Sequence, residues 1–244
     1  MRVLSIIPAR MGSSRFPGKP LVKINGKAMI DIIYKISTKS NLISKTFIAT
    51  CDKEIENHCN KASMNVVMTS KKHQRATDRS EEALRILEGK FKTKFDIVLM
   101  IQGDEPMIDV NMLDTAIRGL IKNKKYGVLN LYSRIKKQNE ALDKNTVKVV
   151  VNKENEAIYF SRSLIPSGGS LNKDYFKQVC VIPFRRDFIL KFVKMKETNL
   201  EKKESIDMNR AIENNLKIKL IQIKKYTHPV DSLKDIAIVE KYLK

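Results

Sequence analysis

The sequence predicts an α/β fold in which helices cover both faces of a mostly parallel, doubly wound sheet, with a small antiparallel insertion. In the first half of the chain, short apolar runs alternate with segments that have the period of amphipathic helices. Beyond residue 127, strand-like runs follow one another without long helices between them, which favours antiparallel pairing. We therefore expect a single domain, residues 1–244, with an inserted β-rich subdomain at approximately 127–185 that forms a lid or a dimerisation surface.

The first half of the chain predicts a series of βαβ units. The predicted strands are 3–7, 45–50, 65–68 and 96–101, and the predicted helices are 28–40, 53–62, 77–88 and 111–123. In doubly wound sheets, ligands bind beyond the carboxyl ends of the strands. We therefore expect the loop after the first strand to meet the segments that follow Met68 and Ile101.

The second half predicts the insertion and a return to helices. The predicted strands are 128–134, 146–151, 157–160, 178–184 and 218–223, and the predicted helices are 186–196, 206–214 and a final helix from Ser232. Ser232 is a suitable N-cap for that last helix, and Asp235 at the third helical position completes a variant of the capping box.

Composition limits the class of protein. No apolar segment approaches the roughly 20 residues that span a bilayer, and the amino terminus does not resemble a signal peptide, so we expect a cytoplasmic protein without membrane insertion. The three cysteines lack metal-ligand spacing. The net charge of +20 would suit a polyanionic partner, but the lysines are spread along the chain and are not interleaved with aromatic residues. Nucleic-acid binding is therefore not expected.

The most informative motif follows the first predicted strand and spans residues 8–20, PARMGSSRFPGKP. Its glycine spacing fits neither the P-loop nor the dinucleotide-binding loop. A polyphosphate would therefore be held by side chains: the guanidinium groups of Arg10 and Arg15 suit phosphate oxygens, and Lys19 adds a point charge. A solvated basic turn is the alternative, but so many basic and small residues behind a buried strand favour a phosphate site.

Acidic residues follow another predicted strand. The segment QGDEP, residues 102–106, comes directly after the apolar run 97–101, where Asp104 is well placed to hold Mg²⁺ near substrate phosphates. Asp231 ends a loop after the last predicted strand and is the candidate second ligand. The alternatives are an ordinary acidic turn for Asp104 and an acid at a helix amino terminus for Asp231.

A third motif, residues 73–79, lies between a predicted strand and a predicted helix. Gln74 and backbone groups of this turn could contact a base edge, with Arg79 facing the phosphate site. Thr77 and Asp78 are also candidates for helix caps.

Together, several strings closely resemble the 3-deoxy-manno-octulosonate cytidylyltransferases, also called CMP-Kdo synthetases. The strings are residues 8–21, 73–79, 102–106, 147–150, 159–162 and 230–231. The likeness runs from residue 1 to about 166 and resumes at about 185. The opening loop is more distantly similar to that of the acylneuraminate cytidylyltransferases.

The resemblance implies a Rossmann-like nucleotidyltransferase fold and a Mg²⁺-dependent transfer of CMP from CTP to the anomeric hydroxyl of an acidic sugar, for lipopolysaccharide synthesis. It also implies a homodimer. Carried over by position, the catalytic residues would be Arg10, Lys19 and Asp104, and the Mg²⁺ ligands Asp104 and Asp231. The nucleotide-binding residues would be Pro8, Ala9, Arg10, Gly12, Ser13, Ser14, Arg15, Lys19, Gln74, Thr77, Asp78, Arg79 and Gln102.

The acceptor side departs from the family pattern. A segment resembling His-x-Gly-x-Tyr is replaced by residues 178–182, QVCVI, and a Glu-Gln-Leu-Arg string by residues 207–210, DMNR. The resemblance implies the acceptor-binding residues Tyr159, Arg162, Gln178, Asp207 and Arg210. The expected acceptor is 3-deoxy-manno-octulosonate; another ulosonic acid, an amino-sugar analogue and a phosphonate are alternatives with the same chemistry. A basic nucleic-acid-binding protein on a degenerate fold is the alternative of another class.

Overall fold

The structure is a computed structural model that describes residues 1–12, 16–171 and 173–243. The strands are β1 (Val3–Pro8), β2 (Lys23–Ile24), β3 (Lys27–Ala28), β4 (Lys45–Thr50), β5 (Val66–Met68), β6 (Ile97–Ile101), β7 (Leu129–Arg134), β8 (Lys148–Val151), β9 (Ala157–Ser161), β10 (Phe176–Val179), β11 (Val181–Arg185) and β12 (Lys219–Ile223). The helices are α1 (Met29–Thr38), α2 (Lys53–Lys61), α3 (Ala76–Phe91), α4 (Val110–Lys122), α5 (Gln138–Leu142), α6 (Arg186–Phe192), α7 (Asn199–Glu204), α8 (Met208–Glu213) and α9 (Leu233–Tyr242). A 3₁₀ turn covers Lys19–Leu21.

The first sheet has the strand order β11-β6-β1-β4-β5, in which β11 is antiparallel and the other four strands are parallel. Side chains of β1 alternate between its two faces. Val3 and Ile7 belong to the core cluster that contains Ile33 of α1. Leu4 and Ile6 belong to the cluster that contains helix α3 residues such as Leu84. Helices therefore cover both faces, and the predicted doubly wound sheet is confirmed.

The second sheet has the order β12-β7-β10-β8-β9 and is mostly antiparallel, except that β12 runs parallel to β7. Its membership does not follow the predicted insertion of residues 127–185. Strand β11 lies inside that range and joins the first sheet, whereas β12 lies beyond it and joins the second. The two sheets are linked where Val128, just before β7, forms a bridge with Phe184 of β11.

The predicted strand 178–184 is divided at Cys180. The amide of Cys180 donates to Glu105 Oε1 at 3.2 Å, and its carbonyl accepts from the amide of Gln102 at 3.1 Å. Both backbone groups of Cys180 are therefore used by the turn after β6 and not by a neighbouring strand of the second sheet. The chain passes from one sheet to the other at this residue.

The sequence analysis did not predict several short elements. The β2–β3 hairpin and helices α5 and α7 have two to six residues each, too few to show a hydrophobic period. The long elements of the first half end within a few residues of their predicted bounds. In the described part of the chain, no helix combines the length and the apolar character needed to cross a bilayer.

Candidate active site

A cavity of about 290 Å³ opens at the carboxyl ends of β1 and β6. It is lined by Pro8, Ala9, Arg10, Lys19, Pro20, His73, Gln74, Arg75, Ala76, Arg79, Gln102, Gly103, Asp104, Ser205 and Asp207. The lining includes residues from the segments that follow β1, β5 and β6. The predicted convergence of these three segments is therefore confirmed. Arg10 and Gln74 are exposed, whereas Arg79 is buried and donates to Thr69 Oγ1 at 2.6 Å.

Backbone contacts bring the first and last of these segments together. A Cβ atom placed on Gly103 would lie 3.2 Å from the carbonyl oxygen of Pro8, which is closer than most side chains tolerate. Glycine therefore allows the turn after β6 to approach the end of β1. On the other side of the loop, the amide of Met11 donates to Asp52 at 2.8 Å.

Two carboxylates converge on one ammonium group in this cavity. Lys19 Nζ lies 2.7 Å from Asp104 Oδ2 and 3.1 Å from Asp231 Oδ1. Burial alone would lower the pKa of Lys19, but attraction by the two carboxylates outweighs it and raises the pKa. The structure thus places the two predicted metal ligands within reach of a single cation.

The loop that carries Asp231 is fixed from both sides. The amide of Val230 donates to the carbonyl of Asp104 at 2.9 Å, and the amide of Asp231 donates to Asp235 Oδ2 at 3.0 Å. Asp235 also accepts from the amide of Ser232 at 2.7 Å, so the predicted capping of α9 is confirmed. Helix capping therefore also holds Asp231 beside Asp104.

The donor set suits a hard divalent cation. Asp104 and Asp231 face the same point, which the ammonium group of Lys19 occupies. Mg²⁺ commonly binds one or two carboxylates together with substrate phosphates and water, so this pair is an appropriate set of ligands. No group of three His, Cys, Asp or Glu residues among those the structure describes could hold a metal ion by itself. The remaining ligands would therefore have to come from phosphate and water.

A second cavity, of about 160 Å³, adjoins the first and shares Gln102, Asp104, Ser205 and Asp207 with it. Its other lining residues are Glu105, Asn145, Thr146, Val147, Arg162, Lys177, Gln178, Cys180, Ile206, Pro229 and Asp231. The two carboxylates that meet at Lys19 both line this second cavity. A molecule in either cavity would therefore be close to the same acidic pair.

Lys148 supports the wall of the second cavity from behind. Its fully buried ammonium group donates to the carbonyls of Asp143, Thr146 and Arg162 at 2.6–2.8 Å. Burial lowers the pKa of Lys148 to about 8. This one side chain ties the loop before β8 to the residue that follows β9.

The comparison with known proteins identifies the family. A family model described as cytidylyltransferase matches residues 4–218. This chain belongs to the cytidylyltransferase family. As predicted from the sequence, it is a nucleotidyltransferase.

Individual relatives agree with that assignment over the full length. The chain is 37% identical to a 3-deoxy-manno-octulosonate cytidylyltransferase of Fusobacterium nucleatum, covering 100% of this chain and 98% of the relative. It is 35% identical to the protein of the same name in Geobacter metallireducens, covering 99% and 98%. A CMP:2-keto-3-deoxy-manno-octonic acid synthetase solved with CTP superimposes with a TM-score of 0.86 at 32% identity, covering 100% and 98%. The resemblance stated from the motifs is confirmed.

Within this cytidylyltransferase, most predicted nucleotide-binding residues line the first cavity. They are Pro8, Ala9, Arg10, Lys19, Gln74, Arg79 and Gln102. Ser13, Ser14 and Arg15 lie outside the described residues. Of the predicted residues that the structure does describe, Gly12, Thr77 and Asp78 do not line this cavity.

Thr77 and Asp78 differ from their predicted positions because helix α3 begins earlier. Its N-cap is Arg75, so neither residue caps the helix. Thr77 is buried, and its hydroxyl donates a hydrogen bond to Asp207. A carboxylate oxygen of Asp78 lies 3.9 Å from Nη1 of Arg210. Both side chains contact the segment around α8 instead of the cavity.

The predicted acceptor-binding residues divide in the same way. Arg162, Gln178 and Asp207 line the second cavity; in the described structure Tyr159 and Arg210 do not. The hydroxyl of Tyr159 donates to Glu204 at 2.8 Å. Arg210 is buried and makes a paired contact with Glu201 at 2.6 and 2.7 Å, so it holds α8 against α7.

Several lining residues were missed by the sequence reasoning. Arg75 lies inside the 73–79 motif, but the motif assigned a ligand role only to its neighbours. Ser205 is a single serine after a short helix, and no pattern pointed to it. Lys177 is buried on β10 and pairs with Glu140, so its charge is compensated inside the protein.

Proposed function

We propose that this cytidylyltransferase transfers CMP from CTP to the anomeric hydroxyl of 3-deoxy-manno-octulosonate and releases pyrophosphate. Adjoining cavities that share Asp104 support this proposal, because a nucleotide in one and an acceptor in the other would both lie next to the same acidic pair. The names of the relatives support this choice of acceptor.

The first cavity would hold CTP. Arg10 and Lys19 supply positive charge for the triphosphate, and Gln74 and Gln102 supply amide groups for the cytosine edge. Arg79 is fixed by Thr69 and contributes positive charge from the floor of the cavity. The positive charges and amide groups of these side chains suit an anion that carries a polar base.

Asp104 and Asp231 would hold Mg²⁺ through their carboxylates. When bound, the ion neutralises charge on the triphosphate and lowers the pKa of a nearby hydroxyl. Lys19 occupies the position between the carboxylates in this structure, so we propose that it moves to the triphosphate when the ion and nucleotide bind.

The reaction is a displacement at the α-phosphorus of CTP. The anomeric hydroxyl oxygen of the acceptor forms the new P–O bond, the bond to the β-phosphate oxygen breaks, and the hydroxyl proton leaves to solvent. Pyrophosphate departs with its charge balanced by Arg10 and Lys19. Asp104 lies at the junction of the cavities, where the two reacting groups would meet.

We also propose that the enzyme acts in the cytoplasm, in lipopolysaccharide synthesis, as a homodimer formed through the 127–185 region. Strand β9 lies at an edge of the second sheet, and its residue Ile158 is 52% exposed. An exposed apolar residue on an edge strand supports a contact between subunits there. Sedimentation of wild type and of Ile158→Lys tests the dimer: loss of a dimer in the variant supports this surface, and an unchanged dimer excludes it.

The test of function is pyrophosphate release from CTP and Mg²⁺ with a panel of acceptors. The panel contains 3-deoxy-manno-octulosonate, an amino analogue, a nonulosonic acid and a phosphonate, and mass spectrometry identifies the CMP ester. We expect the octulosonate to give the highest kcat/KM. Turnover of another acid in its place would replace the proposed acceptor, and no turnover with any of them would reject the proposal.

A further inference from the structure

The turn Ser205–Ile206–Asp207 separates the two cavities. Ser205 and Asp207 line both of them, and Ile206 lines the second. Ser205 has a φ of 55°, in the left-handed region that non-glycine residues adopt at a cost of about 1 kcal/mol or more. A backbone hydrogen bond from the amide of Ile206 to the carbonyl of Glu201, at 3.3 Å, closes the turn, and side-chain contacts from outside add to it.

On the nucleotide side, the first turn of α3 supplies these contacts. Arg75 Nη1 donates to Ser205 Oγ at 2.7 Å, and the hydroxyl of Thr77 donates to Asp207. Arg75 Nε also lies 3.4 Å from a carboxylate oxygen of Glu197 and 3.5 Å from one of Glu201. Arg75 thus lines the nucleotide cavity while it contacts the turn.

On the acceptor side, the residue before the turn makes the connection. Glu204 accepts hydrogen bonds from the hydroxyl of Tyr159 at 2.8 Å, the hydroxyl of Ser161 at 2.7 Å and the amide of Arg162 at 2.7 Å. Arg162 also donates from Nε to the carbonyl of Glu204 at 2.7 Å. Arg162 lines the acceptor cavity, so these hydrogen bonds connect that wall directly to the segment 204–207.

We propose that Arg75 is a positioning residue that couples the two cavities through Ser205. CTP in the first cavity restricts the arginine side chain, which stabilises the Ser205–Asp207 turn and, through Glu204, the position of Arg162 beside the acceptor. Bound CTP therefore raises the affinity for the acceptor, and by linkage the acceptor raises the affinity for CTP by the same factor. This inference rests on the proposed function for the identity of the acceptor, but not for the coupling to CTP.

Loss of Arg75 should loosen the turn without unfolding its surroundings. Glu201 of α7 is fully buried and keeps its two hydrogen bonds from Arg210 of α8, at 2.6 and 2.7 Å. These bonds do not involve Arg75. The two helices on either side of the turn therefore stay in place.

Kinetics of Arg75→Met, Ser205→Ala and the double variant test the coupling. Each single variant removes the same hydrogen bond, and Ser205→Ala leaves the arginine in the nucleotide cavity. We expect each to raise the KM for 3-deoxy-manno-octulosonate about tenfold at saturating CTP, with a smaller effect on kcat, and the double variant to be no worse than the more impaired single variant. Additive effects, or an unchanged KM in Ser205→Ala, would overturn the proposal.

The matched control is Arg85→Met in helix α3, which begins directly after Arg75. Arg85 is 61% exposed in its side chain and pairs with Glu81, away from the lining of either cavity. The substitution removes one positive charge, as Arg75→Met does, and should leave both KM values unchanged. A similar rise in KM in this control would assign the effect to net charge and contradict the coupling.

Hydrogen exchange on CTP addition separates this inference from the proposed function. In wild type, CTP and Mg²⁺ without acceptor should slow amide exchange in residues 203–208, and Arg75→Met should abolish this slowing. If wild type shows the slowing but does not turn over the octulosonate, the coupling stands and the proposed acceptor fails. If wild type turns over the octulosonate and CTP leaves exchange in 203–208 unchanged, the coupling fails and the proposed function stands.

Discussion

Single residues determine how the acidic pair is arranged. Lys19 lies between Asp104 and Asp231, both of which were selected from the sequence by their positions after strands. The sequence could not show that a basic residue of the opening loop contacts both acids, because that contact depends on the fold of the loop after β12. Residue types and strand ends thus predicted which residues take part, whereas their pairing depends on the three-dimensional fold.

Sequence alone also could not show that some residues predicted to contact ligands line neither cavity. Thr77 and Arg210 carry side chains suited to ligand contacts, but both are buried against other protein groups. Asp207, the partner of Thr77, lies far along the chain from the 73–79 motif. Glu201, the partner of Arg210, belongs to none of the motifs. A motif predicts which residues matter, and only packing shows whether they contact the ligand or the protein.

At this scale we predict that Lys148→Met weakens the acceptor wall. The substitution leaves the carbonyls of Asp143, Thr146 and Arg162 without their common donor, at a cost of about 3 kcal/mol in the free energy of unfolding. The KM for the acceptor should rise more than the KM for CTP. Chemical denaturation and steady-state kinetics measure the two effects.

Lys148→Arg is the companion variant, because it keeps the charge and changes the geometry. It should recover part of the stability and of the acceptor KM. Equal increases in the KM for both substrates in Lys148→Met would contradict a role confined to the acceptor wall.

Elements of regular structure were predicted best where they are long. Strands β1, β4 and β6 and helices α1 to α4 show clear periods, and their order defined the fold class. The division of the predicted 178–184 strand was not visible, because its residues suit a strand throughout. The division depends on a distant turn that takes both backbone groups of Cys180.

The link between the sheets makes Gly127 a sensitive position. A Cβ atom there would lie 2.1–2.8 Å from three atoms of Phe188, including its Cβ, so neither residue can easily move aside. We predict that Gly127→Ala lowers the free energy of unfolding by about 1–3 kcal/mol. Thermal or urea denaturation measures the loss.

Gly89→Ala serves as the control for that substitution. Gly89 lies in helix α3, and a Cβ atom there would meet no described atom within 4 Å. Alanine should stabilise the helix by up to about 1 kcal/mol. Destabilisation of similar size in both variants would show that the clash with Phe188 is not the cause.

The capping of α9 gives a pH dependence. Burial alone would raise the pKa of Asp235, but hydrogen bonds from His228, Ser232 and the amide of Asp231 outweigh it and lower the pKa to about 2. Because the unfolded carboxyl has a pKa of about 3.9, the stabilisation is complete above that pH and is lost as the pH falls towards 2. We predict that Asp235→Asn costs about 2 kcal/mol at pH 7 and flattens the decline in stability between pH 4 and 2.

Urea titrations across this pH range measure that effect. Asp187→Asn is the matched control, because the side chain of Asp187 is 93% exposed. It should leave the pH dependence intact. If the stability of Asp235→Asn falls between pH 4 and 2 as steeply as that of the wild type, the assigned role of the cap is contradicted.

Over the whole molecule, the net charge is +20 and most of the lysines are exposed. Nonspecific contacts of this kind weaken steeply with salt because they release counterions. We predict that binding of single-stranded DNA falls at least about 100-fold between about 50 and 200 mM salt. Fluorescence anisotropy measures the binding, and CTP turnover in the same buffers is the comparison.

The outcome decides between the enzyme and the nucleic-acid-binding alternative. CTP turnover should persist at the higher salt concentration. DNA binding that remains tight there and is displaced by CTP would instead favour a nucleic-acid function for the cavity.

The most direct test of the account is the rate of pyrophosphate release by Asp104→Asn and Asp231→Asn at saturating CTP, Mg²⁺ and octulosonate. The control is Asp109→Asn, which loses an acid near the same loop but keeps a good helix cap for α4. We predict that each of the two active-site variants loses at least about 100-fold in kcat, while the control keeps wild-type activity. Activity within about threefold of wild type in Asp104→Asn would contradict the shared acidic centre on which the proposed mechanism depends.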